Sequence, residues 1–252
     1  MKVITAVLLL VPGTGILSAC DDPYKAPPTQ VVYRFDDHRY LELKGYSCQG
    51  ALTYVDTRRK IRSQIYEERY RIFTKTYIHP SERYIAVMSW GAGGFAISKD
   101  YGKNWTMASY APGGGAKQYG DRYPSRDDIE SFTVVNDQGF VKTLDGDLYI
   151  SSKPFDDPRL LPGGEGIPYS YRDYDGSLQQ ARLKPGSSGL GWGEEYTSWN
   201  SVNAPEPWII FAYKPNWQNI PNKVPEVKNY TGWERMQCNP DLGFPAEKQG
   251  KL

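Results

Sequence analysis

The sequence predicts an all-β fold, with antiparallel hairpins in a compact propeller-like or sandwich domain with long loops. Aromatic residues, which favour strands, make up 14% of the 252 residues: 20 Tyr, 8 Phe and 7 Trp. The 25 Gly and 19 Pro favour tight turns over helices. Short runs such as Val31–Phe35 and Arg69–Ile78 alternate β-branched or aromatic residues with polar ones, which is typical of half-buried strands.

The alternating runs fall into two groups. The first comprises 31–35, 39–43, 51–55, 61–66, 69–78, 84–89 and 95–98, and the second comprises 131–135, 140–144 and 148–152. Residues 153–207 are richer in Pro, Gly and Ser and show little periodicity, so we expect long ordered loops there. A last strand is predicted at 207–213.

Charge and hydropathy exclude several classes of protein. Thirty basic and 29 acidic residues give a net charge of +1, without the clustered basic face that a nucleic-acid binder needs. After residue 20, no apolar run approaches the ~20 residues needed to span a bilayer.

The first twenty residues have the layout of an export signal. Lys2 precedes the apolar run Val3–Val11, and the segment ends in Leu17–Cys20 (LSAC), which resembles the bacterial lipobox. We therefore expect a signal peptide at 1–19, an acylated Cys20 with a tether at 20–30, and a single β-rich domain at 31–252. The next two residues are both Asp, which resembles a signal for retention at the inner membrane and predicts its periplasmic face rather than the outer membrane. The alternative is a plain signal peptide with a chance cysteine.

The predicted location also suggests what the two other cysteines do. With Cys20 acylated, Cys48 and Cys238 remain in an oxidising compartment, where two leftover cysteines usually pair. A disulfide would tie the N-terminal strands to the C-terminal tail. Two buried free thiols are the alternative.

One local motif is specific. Ser98, Asp100, Gly102 and Trp105 match the pattern S-x-D-x-G-x-x-W of the Asp box found in sialidase-like propellers. Its chemistry is structural, because the carboxylate caps turn amides, glycine adopts a backbone angle that side chains resist, and tryptophan packs beneath the hairpin. The motif predicts a β-hairpin at 94–109.

Catalytic chemistry has little support in the sequence. The only histidines are His38 and His79, and no metalloprotease, Walker A, dinucleotide or nucleophile-elbow motif occurs. We therefore expect no enzyme activity, catalytic residue, metal or cofactor. Adjacent acidic pairs such as Glu194-Glu195 leave a glycan-acting or glycan-binding protein open as an alternative.

Aromatic residues in two Gly-rich loops, 110–128 and 186–203, are candidate contacts for a protein partner, because Trp and Tyr dominate binding hot spots. They are Tyr110, Tyr119, Trp192, Tyr196 and Trp199. For the tryptophan-rich segment 192–217, the alternatives are sugar stacking and the ordinary core of a small β domain.

A family resemblance adds a function. Residues 28–40 (PTQVVYRFDDHRY), the Cys48 segment, residues 80–84 and the Ser98–Trp105 hairpin resemble immunity lipoproteins paired with type VI secretion lipase effectors. The similarity runs from about residue 28 to the second cysteine of the pair. It implies a non-enzymatic protein that binds and neutralises a periplasm-acting phospholipase. The alternative is a structural or assembly lipoprotein of the envelope.

Overall fold

The computed structural model describes residues 26–111, 124–152, 157–173, 175–185, 192–199, 217, 222–245 and 249–250. The predicted all-β class is confirmed, since the elements within these residues are fourteen strands and two 3-10 helices, Arg126–Asp128 and Pro158–Leu160. The strands are β1 (Thr29–Arg34), β2 (Arg39–Tyr46), β3 (Gln49–Asp56), β4 (Ile61–Arg71), β5 (Thr76–Ile78), β6 (Ile85–Met88), β7 (Phe95–Ser98), β8 (Thr106–Ala111), β9 (Ile129–Val135), β10 (Gln138–Thr143), β11 (Leu148–Ser151), β12 (Ile167–Arg172), β13 (Leu178–Leu183) and β14 (Glu195–Ser198). The strand predicted at 207–213 lies outside the described residues.

The first four strands form an antiparallel sheet in chain order, β1-β2-β3-β4. Strand β2 shows why the chain folds this way: its residues alternate between buried and more exposed, and the buried set includes Leu41 and Leu43. Strand β1 begins at Thr29, within the segment predicted as tether. Its start pairs with the end of β2, with Thr29 opposite Lys44, so the tether leaves the sheet at the end that carries the β2–β3 turn.

The second sheet has eight strands in the order β5-β9-β10-β11-β14-β8-β7-β6. Two of its pairings, β5 with β9 and β14 with β8, are parallel. The hairpin pattern predicted only antiparallel pairs, because consecutive alternating runs carry no information about strands that meet across long connections.

The loop prediction for residues 153–207 was wrong in part. Strands β12 and β13 form a separate two-stranded hairpin there, and β14 joins the large sheet. In β13 (LQQARL) only Leu183 is buried, so the strand has no hydrophobic alternation for sequence analysis to detect.

The high aromatic content is explained by the core that the two large sheets share. Tyr33, Tyr54, Tyr77 and Tyr196 are each 0% exposed. Most of their hydroxyls find partners: that of Tyr33 donates to the Tyr77 carbonyl at 2.9 Å, and that of Tyr77 donates to the Ala86 carbonyl at 2.6 Å. The Tyr196 hydroxyl is paired with that of Tyr84, whereas the Tyr54 hydroxyl has no hydrogen-bond partner among the described residues. Burial therefore leaves these rings apolar in effect, with three of the four polar ends satisfied. Nowhere in the described segments is a helix both long and apolar enough to traverse a membrane.

Candidate interaction surface

The Asp-box hairpin is present, formed by β7 and β8 in antiparallel register with Phe95 opposite Ala108. The Ser98 hydroxyl donates to Asp100 Oδ1 at 2.8 Å, and the Gly102 amide donates to Ser98 Oγ at 2.8 Å. Asp100 also accepts from the backbone amide of Asn104 at 3.0 Å and from its side chain at 2.6 Å. Burial raises the pKa of Asp100, but the hydrogen bonds from Asn104, Ser98 and Lys103 outweigh it and hold that pKa below its usual range.

This turn packs closely against the four-stranded sheet at Gly102. The φ angle of Gly102 is +85°, and a Cβ at this position would lie 2.3 Å from Cε1 of the Tyr54 ring. Trp105 contacts the same ring edge-on at 5.9 Å, and its indole N–H donates to Ser63 Oγ at 2.9 Å. The motif residues therefore hold the two sheets together.

The predicted disulfide is confirmed: Cys48 in the β2–β3 turn is bonded to Cys238 in the C-terminal segment. The neighbouring Asn239 amide donates to Gln30 Oε1 at 2.8 Å, and Gln30 Nε2 donates back to the Asn239 carbonyl at 3.2 Å. The C-terminal segment is thereby fixed at the end of the four-stranded sheet where β1 begins.

The histidines have structural surroundings. His79 is 0% exposed, and its Nε2 accepts from the Ala86 amide at 3.1 Å. Burial, helped by the nearby Arg39 cation, lowers the pKa of His79 well below its ordinary value. His38 lies beside Asp36 and Asp37, a group whose ligand atoms come within 4.8 Å of one another. Asp36 is engaged there, since Arg39 Nε donates to its Oδ2 at 2.6 Å and the Arg39 amide donates to Oδ1 at 2.8 Å.

The predicted partner-binding aromatics differ in their exposure in the structure. Tyr110, Trp192 and Tyr196 are at most 9% exposed and belong to the core. Phe95 stacks on Tyr196 with 3.8 Å between ring centroids, and Tyr84 donates to or accepts from the Tyr196 hydroxyl at 2.9 Å. Little of these three rings is left for a partner to contact. Of the others, Trp199 is partly buried against a second core cluster, while Tyr119 and the predicted lipidation site Cys20 lie outside the described residues.

A different aromatic is exposed. Trp90, in the turn between β6 and β7, is 41% exposed, and two guanidinium groups lie over its ring. The Arg71 Cζ is 4.8 Å from the ring centroid and the Arg126 Cζ is 5.0 Å from it. Among the described residues, neither arginine has a carboxylate within 4 Å; Arg71 instead donates to Gln49 Oε1 at 2.9 Å. We call Arg71, Trp90 and Arg126 the Arg–Trp–Arg cluster.

The cluster adjoins a trough on the outer face of the four-stranded sheet. The trough encloses about 820 Å³, and its lining includes Glu42, Lys44, Gln49, Arg62 and Arg69. Arg62 donates to Glu42 Oε2 at 2.6 Å, so part of the charge that lines the trough is neutralised within the protein. Sequence analysis missed the cluster because its members come from three distant segments and Trp90 stands alone in a Gly-rich turn. The one available signal was Arg126, inside the loop 110–128 that was predicted to contact a partner.

Comparisons with known proteins agree with the resemblance seen in the sequence. A search of curated proteins gives no significant match. The solved structure described as YCF48 bound to D1 peptide is 14% identical, with a TM-score of 0.31; the match covers 75% of this chain and 60% of that one. Residues 25–133 match the T6SS Tli3 immunity protein family of the type VI secretion system. This matched segment contains the four-stranded sheet, the Asp-box hairpin and all three members of the Arg–Trp–Arg cluster. Over residues 25–133 the chain is therefore similar to an immunity protein family of the type VI secretion system.

Proposed function

We propose that this protein binds a periplasm-acting phospholipase effector of the type VI secretion system and neutralises it. The observation that carries the proposal is the match of residues 25–133 to an immunity protein family of that system. The lipase as target follows from the resemblance of residues 28–40 and 98–105 to immunity lipoproteins paired with lipase effectors. Inhibition then acts by occlusion: the bound domain blocks access to the active site of the effector or to the bilayer.

The structural roles of the sequence motifs support binding rather than chemistry. The Asp box, both histidines and the disulfide are each used to hold the fold. A protein that must stay folded in the periplasm until an effector arrives gains from such cross-links, because a disulfide between distant residues reduces the entropy of the unfolded chain.

The decisive experiment measures phospholipid hydrolysis. We expect the intact protein, mixed one-to-one with its cognate lipase effector, to abolish hydrolysis in mixed micelles without being consumed. Neutralisation requires residence longer than turnover, so we expect a Kd in roughly the nanomolar range, about −12 kcal/mol. Undiminished hydrolysis with both proteins folded would eliminate the proposal and favour a structural role in the envelope.

We further propose that acylated Cys20 anchors the protein at the periplasmic face of the inner membrane. Two or three acyl chains anchor a protein stably, whereas one myristoyl-sized chain binds marginally. Cys20→Ser should therefore release the protein into the soluble fraction or leave it unprocessed. Equal incorporation of labelled palmitate into the variant and the natural chain would refute the anchor.

A further inference from the structure

We propose that the Arg–Trp–Arg cluster is the central contact of this protein with its effector, and that it receives a carboxylate-bearing surface of that protein. This inference rests on the proposed function, since it names the surface through which the effector is bound. It assigns a role to three residues that the fold itself does not explain.

The first argument is charge. Arg71 is exposed, Arg126 is half-buried, and within the described residues no carboxylate neutralises either of them. Arg39 and Arg59, in contrast, are ion-paired, Arg39 with Asp36 and Arg59 with Asp56 and Glu82. Two unneutralised guanidinium groups beside one indole match a partner that supplies carboxylates, because Arg binds carboxylates in a bidentate geometry.

The second argument is preorganisation. Arginine normally loses rotamer freedom when it binds, at a cost of about 0.5–1.5 kcal/mol per immobilised side chain. Here the Trp90 ring already orders both guanidinium groups, and the Gln49 side chain also holds Arg71. Trp and Arg are among the residues enriched in hot spots, and here both types lie at least partly exposed and without a carboxylate partner among the described residues.

The neighbours of the cluster favour a protein over a lipid surface. Recognition of anionic lipids usually relies on clusters of 4–8 basic residues. In β4, Glu68 Oε1 lies 4.0 Å from Nε of Arg69, which is two residues before Arg71. Asp127 directly follows Arg126 in the sequence. Positive charge is therefore local and interrupted by acidic groups. Such a pattern suits a specific acidic patch better than a uniformly charged membrane.

The place of the cluster in the fold is consistent with this role. Arg71 is the last residue of β4 and pairs with Gln49 at the start of β3, the end of the sheet from which the tether leaves. The Pro28 carbonyl accepts from the Gly45 amide at 3.0 Å at this same end. An effector bound there would meet the protein on its tether side, where a bilayer-attacking enzyme must approach.

Binding of the intact protein to the effector tests the proposal. We compare Trp90→Ala and the double variant Arg71→Gln/Arg126→Gln with Arg58→Gln, which removes an exposed arginine in the β3–β4 turn at the opposite end of the sheet. We expect Kd to rise about 30-fold for Trp90→Ala and at least 10-fold for the double variant, with less than 2-fold change for Arg58→Gln. The double variant should also show a weaker dependence of Kd on salt. Thermal unfolding of each variant reports whether the fold is kept.

Three results would overturn the proposal. If all variants bind and inhibit like the natural chain, the effector is held elsewhere, and the proposed function survives. If the natural chain itself neither binds nor inhibits the effector, the proposed function is wrong, and the inference that rests on it is wrong as well. If the cluster variants keep effector affinity but lose binding to phosphatidylglycerol vesicles that the natural protein binds, the cluster serves a lipid surface. Should Trp90→Ala unfold, Trp90→Phe and the arginine variants carry the same comparison.

Discussion

Replacing Gly102 with alanine tests whether the Asp-box turn joins the two sheets through a close ring contact. The added Cβ would lie 2.3 Å from Cε1 and 2.4 Å from Cδ1 of Tyr54, well inside van der Waals contact. Tyr54 cannot move aside easily, because it is 0% exposed and its ring meets Phe35 at 5.8 Å and Trp105 at 5.9 Å. The substitution therefore forces either the ring or the turn to shift.

The expected magnitude has two parts. A residue with a side chain at φ +85° costs about 1 kcal/mol in the left-handed region. Overpacking a filled core adds about 1–3 kcal/mol. We therefore expect Gly102→Ala to lower the free energy of unfolding by about 3 kcal/mol.

Gly146→Ala is the matched control. Its φ is +92°, but no atom lies within 4 Å of the position its Cβ would take, so only the backbone cost of about 1 kcal/mol applies. Urea unfolding, followed by tryptophan fluorescence and extrapolated to water, measures both variants. Equal destabilisation by the two substitutions would refute the ring contact as the reason for glycine at 102. Relief of the Gly102→Ala cost by Tyr54→Leu would support it directly.

Three further predictions concern stability. Replacing Cys48 and Cys238 with serine opens a cross-link between residues 190 apart, and we expect a loss of up to about 5 kcal/mol, measured by urea unfolding; a loss below 1 kcal/mol would contradict it. The unfolded chain protonates His79 below its ordinary pKa of 6.5 while the folded chain does not, so stability should fall as pH drops below about 6.5, by up to about 1.4 kcal/mol per pH unit, and His79→Gln should lose that slope. Asp100→Ala removes the acceptor for the Asn104 amide and should cost about 1 kcal/mol, and an unchanged melting temperature would show that the turn does not need the carboxylate.

Local patterns predicted the part of the fold whose strands follow one another along the chain. The runs around Leu41 and Leu43 predicted β2 because one face of that strand is buried. The Asp box predicted its hairpin because the turn geometry is encoded within eight consecutive residues. The parallel pairings of β5 and β14 were missed, since their partners are set by the core that forms around Tyr196 and Phe132 rather than by nearby sequence.

The site was harder to predict for a related reason. Residue type alone does not separate a core aromatic from an exposed one: Tyr196 and Trp192, expected at an interface, are buried, while Trp90 is exposed. The difference depends on which long-range partners cover each ring. Arg71 and Arg126 are 55 positions apart in sequence and meet at Trp90 only after both sheets have formed. By contrast, the pairing of Cys48 with Cys238 was predictable by elimination once Cys20 was assigned to lipid.

The tether and the C-terminal segment leave the same end of the four-stranded sheet, which has a mechanical consequence. A pull on the tether acts along β1, and the hydrogen bonds between β1 and β2 lie across that direction, so they are loaded together in shear rather than opened one by one. The paired contacts between Gln30 and Asn239 pass part of this load to the C-terminal segment, and the Cys48–Cys238 bond returns it to the β2–β3 turn. If the chain is anchored through this segment, as proposed above, force entering at residue 29 is spread over three segments instead of peeling away the first strand.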